Sequence, residues 1–142
     1  MVTAFKPEQL DDVMDIWLST NLAAHPYVPK SLWMDYYGEV RSQLPASRLY
    51  VYKDKGVVKG FIGIQGDYVA GLFVGSRWQN GGIGGQLMAH VQVLYDHLEL
   101  DAYVRNKRAV AFYRRWGYAI TGQKSNTETG EAEYHMVWDK TR

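Results

Sequence analysis

The spacing of apolar positions changes period repeatedly along this chain, and each change marks an element. Leu10, Val13, Met14, Trp17 and Leu18 recur at helical steps, and Pro7 suits the first turn of such a helix. Val2 to Phe5, just before it, is short enough for an edge strand. His25-Pro26 and Val28-Pro29 then interrupt the pattern, because a residue preceding proline is pushed away from helical angles. A second helix is expected from about Ser31, with Leu32, Tyr36, Val40 and Leu44 on one face. Arg48 to Tyr52 and Val57 to Ile64 read as strands, joined into a hairpin by the polar turn Lys53-Asp54-Lys55-Gly56. Tyr68 to Val74 is the next strand, and Ile83, Leu87, Val91 and Leu94 mark one face of a third helix. Leu98 to Val104 alternates with period two, the signature of a half-buried strand. A fourth helix runs from Lys107 to about Trp116 and stops at Gly117. Two last strands, Tyr118 to Gln123 and Glu133 to Trp138, flank the polar loop Ser125 to Ala132. The order condenses to βααβββαββαβ or close to it. No repeat or linker divides the chain, so residues 1–142 are expected to form one domain of mixed α/β class.

Composition narrows the function. With 46% hydrophobic residues the chain can build one substantial core without long disorder. Lys and Arg number 16 against 15 for Asp and Glu, a balance that leaves no electrostatic footprint for nucleic acid. The absence of cysteine excludes disulfides, thiolate metal sites and a cysteine nucleophile, and is compatible with a reducing cytoplasm. The start lacks the organisation of a signal peptide and no 18-residue apolar run occurs, so a cytoplasmic chain without membrane association is expected. The four histidines show no metal-ligand spacing, and no metal is expected. His90 and His97 read as surface residues of the third helix, while the face of His135 is unresolved.

The stretch Gln79-Asn80-Gly81-Gly82-Ile83-Gly84-Gly85 lies between a strand and a helix. Glycines admit a ligand close to the backbone, and the free N–H groups of a helix start favour an anion. A P-loop needs Lys and a hydroxyl residue after its last glycine, whereas Gly84 is followed by Gly85, Gln86 and Leu87. A dinucleotide fingerprint needs a small residue where Leu87 stands. What remains, Gln-x-x-Gly-x-Gly at Gln79, Gly82 and Gly84, resembles the pyrophosphate-binding segment of the GNAT N-acetyltransferase superfamily. The segment Asn106-Lys107-Arg108-Ala109-Val110-Ala111-Phe112-Tyr113-Arg114-Arg115-Trp116-Gly117-Tyr118 is similar to the later part of the same family's cofactor site. Two such segments in the right order are much harder to obtain by chance than either alone. The resemblance covers roughly residues 50 to 138.

It implies a single GNAT-like domain. A mixed central sheet of six to seven strands, flanked by four helices, would contain a parallel pair ending near Val74 and Val104 that splays apart. Acetyl-CoA would be the cofactor, its pantetheine arm lying in the opening. Backbone N–H groups of Asn80, Gly81, Gly82, Ile83, Gly84 and Gly85 would grip the pyrophosphate, with Gln79 shaping the turn. The backbone of Leu72, Phe73 and Val74 would meet the acetyl and pantetheine region, with Asn106, Phe112 and Tyr113 completing the cofactor site.

Acetyl transfer to an amine also needs a proton for the departing thiolate and a base for the amine. Tyr113 matches the family tyrosine and is the candidate general acid, although its place on an apolar helical stripe suits packing equally. Asn106 is likewise a good helix cap as well as a cofactor contact. Tyr68-Val69-Ala70-Gly71 carries no acid, and Asp67 before it reads as a turn residue. His25, which titrates near neutral pH, is the candidate catalytic base or acceptor contact, its alternative being a loop histidine satisfied by backbone. Tyr27 and Trp33, with Tyr36 and Tyr37, suit an acceptor cleft through cation–π contact or a core-facing helix. The expected acceptor is a small-molecule or peptide amine. Exposed terminal strands offer edges for a homodimer. The competing reading is a non-catalytic acyl-CoA-binding or sensing module that retains the phosphate loop.

Overall fold

A computed structural model describes residues 1–141. The elements are β1 (Val2–Ala4), α1 (Leu10–Ala24), α2 (Lys30–Gln43), β2 (Arg48–Asp54), β3 (Val57–Gln65), β4 (Tyr68–Val74), α3 (Ile83–Leu94), β5 (His97–Tyr103), α4 (Lys107–Arg115), β6 (Ala119–Ser125) and β7 (Ala132–Asp139). The order is thus βααβββαβαββ: α4 precedes both last strands, as the individual segments imply, and the condensed order above transposes it. The strands form one mixed sheet in the order β1-β2-β3-β4-β5-β7-β6.

β4 and β5 are its parallel pair, and they diverge. Seven residue pairs join β5 to β7, from His97↔Asp139 to Tyr103↔Glu133, whereas β4 and β5 meet at Tyr68↔Glu99. There the Glu99 N–H donates to the Asp67 carbonyl at 2.9 Å. Toward their C-terminal ends a gap opens. β4 also carries a bulge, since its register against β3 steps from Gly63↔Gly71 to Ile64↔Val69 and leaves Ala70 out.

Helices cover the two faces unequally. α3 and α4 pack on one side, where Ile62, Leu87, Met88, Val91, Leu98, Leu100 and Met136 are buried together. α1 and α2 cover β2 to β4 on the other, over Val13, Met14, Trp17, Val51 and Phe61. Close helix-to-sheet approach explains Gly60: a Cβ there would stand 2.8 Å from the Phe73 carbonyl oxygen and 3.2 Å from Ile83 Cγ2. Among the described residues no helix is long and apolar enough to cross a membrane.

Two local results revise the sequence reading. His97 is not on α3; it opens β5, because Tyr95 leaves helical angles at φ −119°, ψ 148°. β6 begins after Tyr118, whose N–H donates to the Tyr113 carbonyl at 3.0 Å while the Gly117 N–H donates to that of Arg114 at 3.1 Å. This pair closes α4, with Gly117 at φ +92° where a side chain would be strained.

Candidate active site

The glycine-rich stretch folds as a turn into α3. Asn80 and Gly82 hold positive φ, 67° and 83°, and Gly82 is the residue from which the helix departs. The first intrahelical bond runs from the Gln86 N–H to the Gly82 carbonyl at 3.0 Å. The N–H groups of Ile83, Gly84 and Gly85 therefore lie in the turn that has no intrahelical partners, at the positive end of the helix dipole. Gln79 anchors this turn by donating from Nε2 to the Val74 carbonyl at 3.0 Å. Gly84 and Gly85 have a second reason to be small. A Cβ on Gly85 would meet Trp116 Cζ2 at 3.0 Å, and one on Gly84 would touch the Phe112 ring at 3.6 Å, so α4 packs directly on the start of α3.

Arg108 was missed in the sequence. Its guanidinium donates to Gln79 Oε1 at 3.3 Å and to Asn80 Oδ1, bringing a cation onto the glycine turn. A signal existed: Lys107 and Arg108 occupy the first turn of α4, where positive charge opposes the helix dipole and needs another justification.

Asn106 caps α4, its Oδ1 accepting the Ala109 N–H at 3.2 Å. That bond orients the amide, so its Nδ2 faces His25 Nε2 at 3.4 Å. Nε2 is then the acceptor nitrogen of a neutral imidazole and Nδ1 carries the proton. Burial pushes the His25 pKa down to about 4, which keeps the ring neutral near pH 7. Tyr113 is half-buried about two turns further along α4, its ring 5.5 Å from that of Phe112 and 5.7 Å from that of Tyr118. Burial pushes its phenol up to about 12, so it holds its proton at neutral pH.

His25 sits among aromatic rings. Its centroid is 4.8 Å from Tyr103, 5.5 Å from Trp33 and 5.7 Å from Tyr27. Two buried polar atoms here, the Tyr27 hydroxyl and Trp33 Nε1, have no hydrogen-bond partner among the described residues, while the His25 ring reaches the Asn21 backbone. Orphaned groups of this kind are costly unless something polar meets them. The β6–β7 loop closes over the cluster: Tyr36 bonds Glu128, and Arg105 pairs with Glu131 at 3.2 Å while lying 5.4 Å from the Tyr27 ring centroid. Tyr103 carries no signal in the sequence, because a β5 residue facing a proline-rich turn is a tertiary fact. Tyr37 instead joins the core, its ring 6.4 Å from Trp17. Trp33 belongs to both settings, standing edge-on to Trp17 at 6.1 Å.

An anion-binding helix start, a strand gap with free edges and a ring cluster with orphaned polar atoms suit an elongated, amide-bearing phosphate ester meeting a second substrate. Residues 45–120 match the family model described as "Acetyltransferase (GNAT) domain". The chain belongs to this family, and it is an acetyl-CoA-dependent acetyltransferase. It is 29% identical over 140 residues to the peptidyl-lysine N-acetyltransferase YiaC of Escherichia coli (strain K12), covering 97% of this chain and 96% of that protein. Its fold is similar to that of apo-form YjaB from Escherichia coli, with TM-score 0.85, 21% identity and coverage of 97% and 96%. The PaiA N-acetyltransferase from Thermoplasma acidophilum, solved in complex with coenzyme A, gives TM-score 0.82 at 11% identity, covering 98% of each chain.

Proposed function

We propose that residues 1–142 act as one catalytic domain that moves an acetyl group from acetyl-CoA directly to a primary amine, the side chain of a peptidyl lysine being the favoured acceptor. The observation that carries this reading is the Asn106 amide, which joins the helix of the cofactor segment to His25 and its orphaned neighbours. Aromatic rings with Glu128 and Glu131 at their rim suit a long apolar side chain ending in an amine. The peptidyl-lysine acetyltransferases related to this chain support the same acceptor.

The geometry supports the following roles. N–H groups from Asn80 to Gly85 hold the diphosphate with Arg108 beside them, and the unpaired edge of β4 at Leu72, Phe73 and Val74 pairs with the amide-bearing arm. Acetyl-CoA supplies an activated acyl group. Tyr113 keeps its proton at neutral pH and gives it to the departing sulfur. Tyr27, Trp33 and His25 receive the amine. The amine nitrogen becomes far more acidic once it bonds the acetyl carbon, so a weakly basic imidazole or a water suffices to take its proton.

The test is acceptor-dependent thiol release from acetyl-CoA with lysine peptides beside small amines, in wild type and Tyr113→Phe. We expect lysine peptides to be the better acceptors, and the variant to lose turnover with nearly unchanged cofactor affinity. Unchanged turnover removes Tyr113 from its role. Tight cofactor binding with no release by any amine overturns catalysis in favour of an acyl-CoA-binding module.

A further inference from the structure

We propose that Asp67, His97 and Glu99 form a binding site for a divalent transition-metal cation of the zinc type, at the point where β4 and β5 meet. The site lies on the sheet face that α3 and α4 leave uncovered, and no step of the acetyl transfer uses it.

The fold builds this trio rigidly. His97 and Glu99 stand two residues apart on β5 and so share a face. Asp67 lies in the turn before β4, and the 2.9 Å bond from the Glu99 N–H to its carbonyl fixes that turn against β5. His97 Nε2 is 2.8 Å from Glu99 Oε2 and 3.8 Å from Asp67 Oδ2, and one donor atom from each residue lies within 4.8 Å of the others. Metal bonds of about 2.0–2.2 Å at tetrahedral angles place donors about 3.3–3.6 Å apart, within this range. Small side-chain rotations bring the three donors onto one cation.

Neighbouring groups already orient the donors. The other ring nitrogen of His97, Nδ1, is 2.5 Å from Asp139 Oδ1, the carboxylate–imidazole arrangement that keeps a proton on Nδ1, so that Nε2, which donates to Glu99 in the cation's absence, is the nitrogen that exchanges its proton for a metal. The second Glu99 oxygen, Oε1, is 2.7 Å from His135 Nε2, and His135 Nδ1 is 2.9 Å from Asp101 Oδ1. Asp101 Oδ2 in turn accepts from Tyr68 at 2.8 Å and Lys124 at 3.2 Å. A network of four elements therefore holds the trio in place.

Charge and chemistry select the occupant. A neutral imidazole and two carboxylates balance a divalent cation, and an imidazole ligand favours zinc, nickel or cobalt over magnesium or calcium. Asp67 is exposed, so further coordination positions face water. In the cation's absence the same groups hold together as ion pairs of protonated histidines with carboxylates. Bound, the metal would staple the closed end of the strand gap. Its role is structural.

The experiment is calorimetric titration of the untagged full chain with Zn²⁺ and, separately, Mg²⁺ at about pH 8, where the metal must still displace the proton that Asp139 and Glu99 hold on His97 by pushing its pKa up to about 9. We expect saturable binding of one Zn²⁺ per chain and no Mg²⁺ heat. Affinity should fall about 100-fold or more in His97→Ala, and about 10-fold in His135→Gln, which removes no ligand but disturbs the hydrogen bonds of His135 to Glu99 and Asp101. Saturating Zn²⁺ should raise the melting temperature of wild type but not of His97→Ala. If His97→Ala does not fold, Asp67→Asn, at an exposed turn, serves the same purpose. No saturable Zn²⁺ heat in wild type, or equal affinity in wild type and the ligand variants, overturns the site.

Discussion

The Asn106 side chain donates to His25 Nε2 across 3.4 Å while its own oxygen accepts the Ala109 N–H at 3.2 Å, so one amide both starts a helix and selects a histidine tautomer. The two tasks separate by substitution. Asn106→Asp keeps an oxygen for the cap and should melt close to wild type, whereas Asn106→Ala should lose about 1 kcal/mol, a drop of about 3–5 °C. Both remove the donor to His25 and should slow turnover. If Asn106→Asp turns over normally, the link to His25 carries no function.

The pH dependence of stability reports on the same ring. His25 titrates near 4 in the fold against an ordinary value of 6.5, so between these values the unfolded chain binds more protons. Its contribution is fully present above about pH 6.5 and is lost as the pH falls toward 4. Solvent screening of the partly exposed ring reduces the effect to about 1–2 kcal/mol. Denaturant midpoints measured across this window should fall less in His25→Phe than in wild type, and parallel curves would remove burial of the neutral imidazole as the cause.

Arg108→Ala should raise the KM for acetyl-CoA about 5- to 10-fold at nearly unchanged kcat, since Arg108 braces Gln79 and Asn80 and places its charge beside the turn. Steady-state kinetics at low and high salt checks this. A matching loss in kcat with an unchanged KM would assign Arg108 elsewhere.

Gly60 and Gly82 should fail for different reasons. Gly60→Ala places a Cβ 2.8 Å from a backbone oxygen, and overpacking of this kind costs about 1–3 kcal/mol. Gly82→Ala meets nothing within 4 Å, so its cost is that of φ +83°, about 1–2 kcal/mol. Thermal melts give the losses. Only Gly82→Ala should also weaken coenzyme A binding strongly, because it reshapes the turn itself.

Much of this architecture was legible in the spacing of apolar residues. Each helix and strand stands within a few residues of its expected place because strong periodicity and explicit stops at Pro26, Pro29 and Gly117 coincide with tertiary packing. His97 went astray because nothing in Leu94-Tyr95-Asp96 announces the end of α3. The glycine turn and Asn106 were readable as motifs, being contiguous. Tyr103 and Arg108 were not, since their importance comes from residues far away in sequence. Gly85 shows the limit of motif reading: its smallness also serves Trp116.

β4 and β5 share a single rung, Tyr68↔Glu99, and this has a consequence for the molecule in solution. The sheet is two half-sheets leaning together, each continuous within itself, and whatever lies along their unzipped seam supplies the missing mortar. Occupancy by its own substrate should therefore stiffen the enzyme, letting its resistance to heat and proteolysis track the supply of acetyl donor.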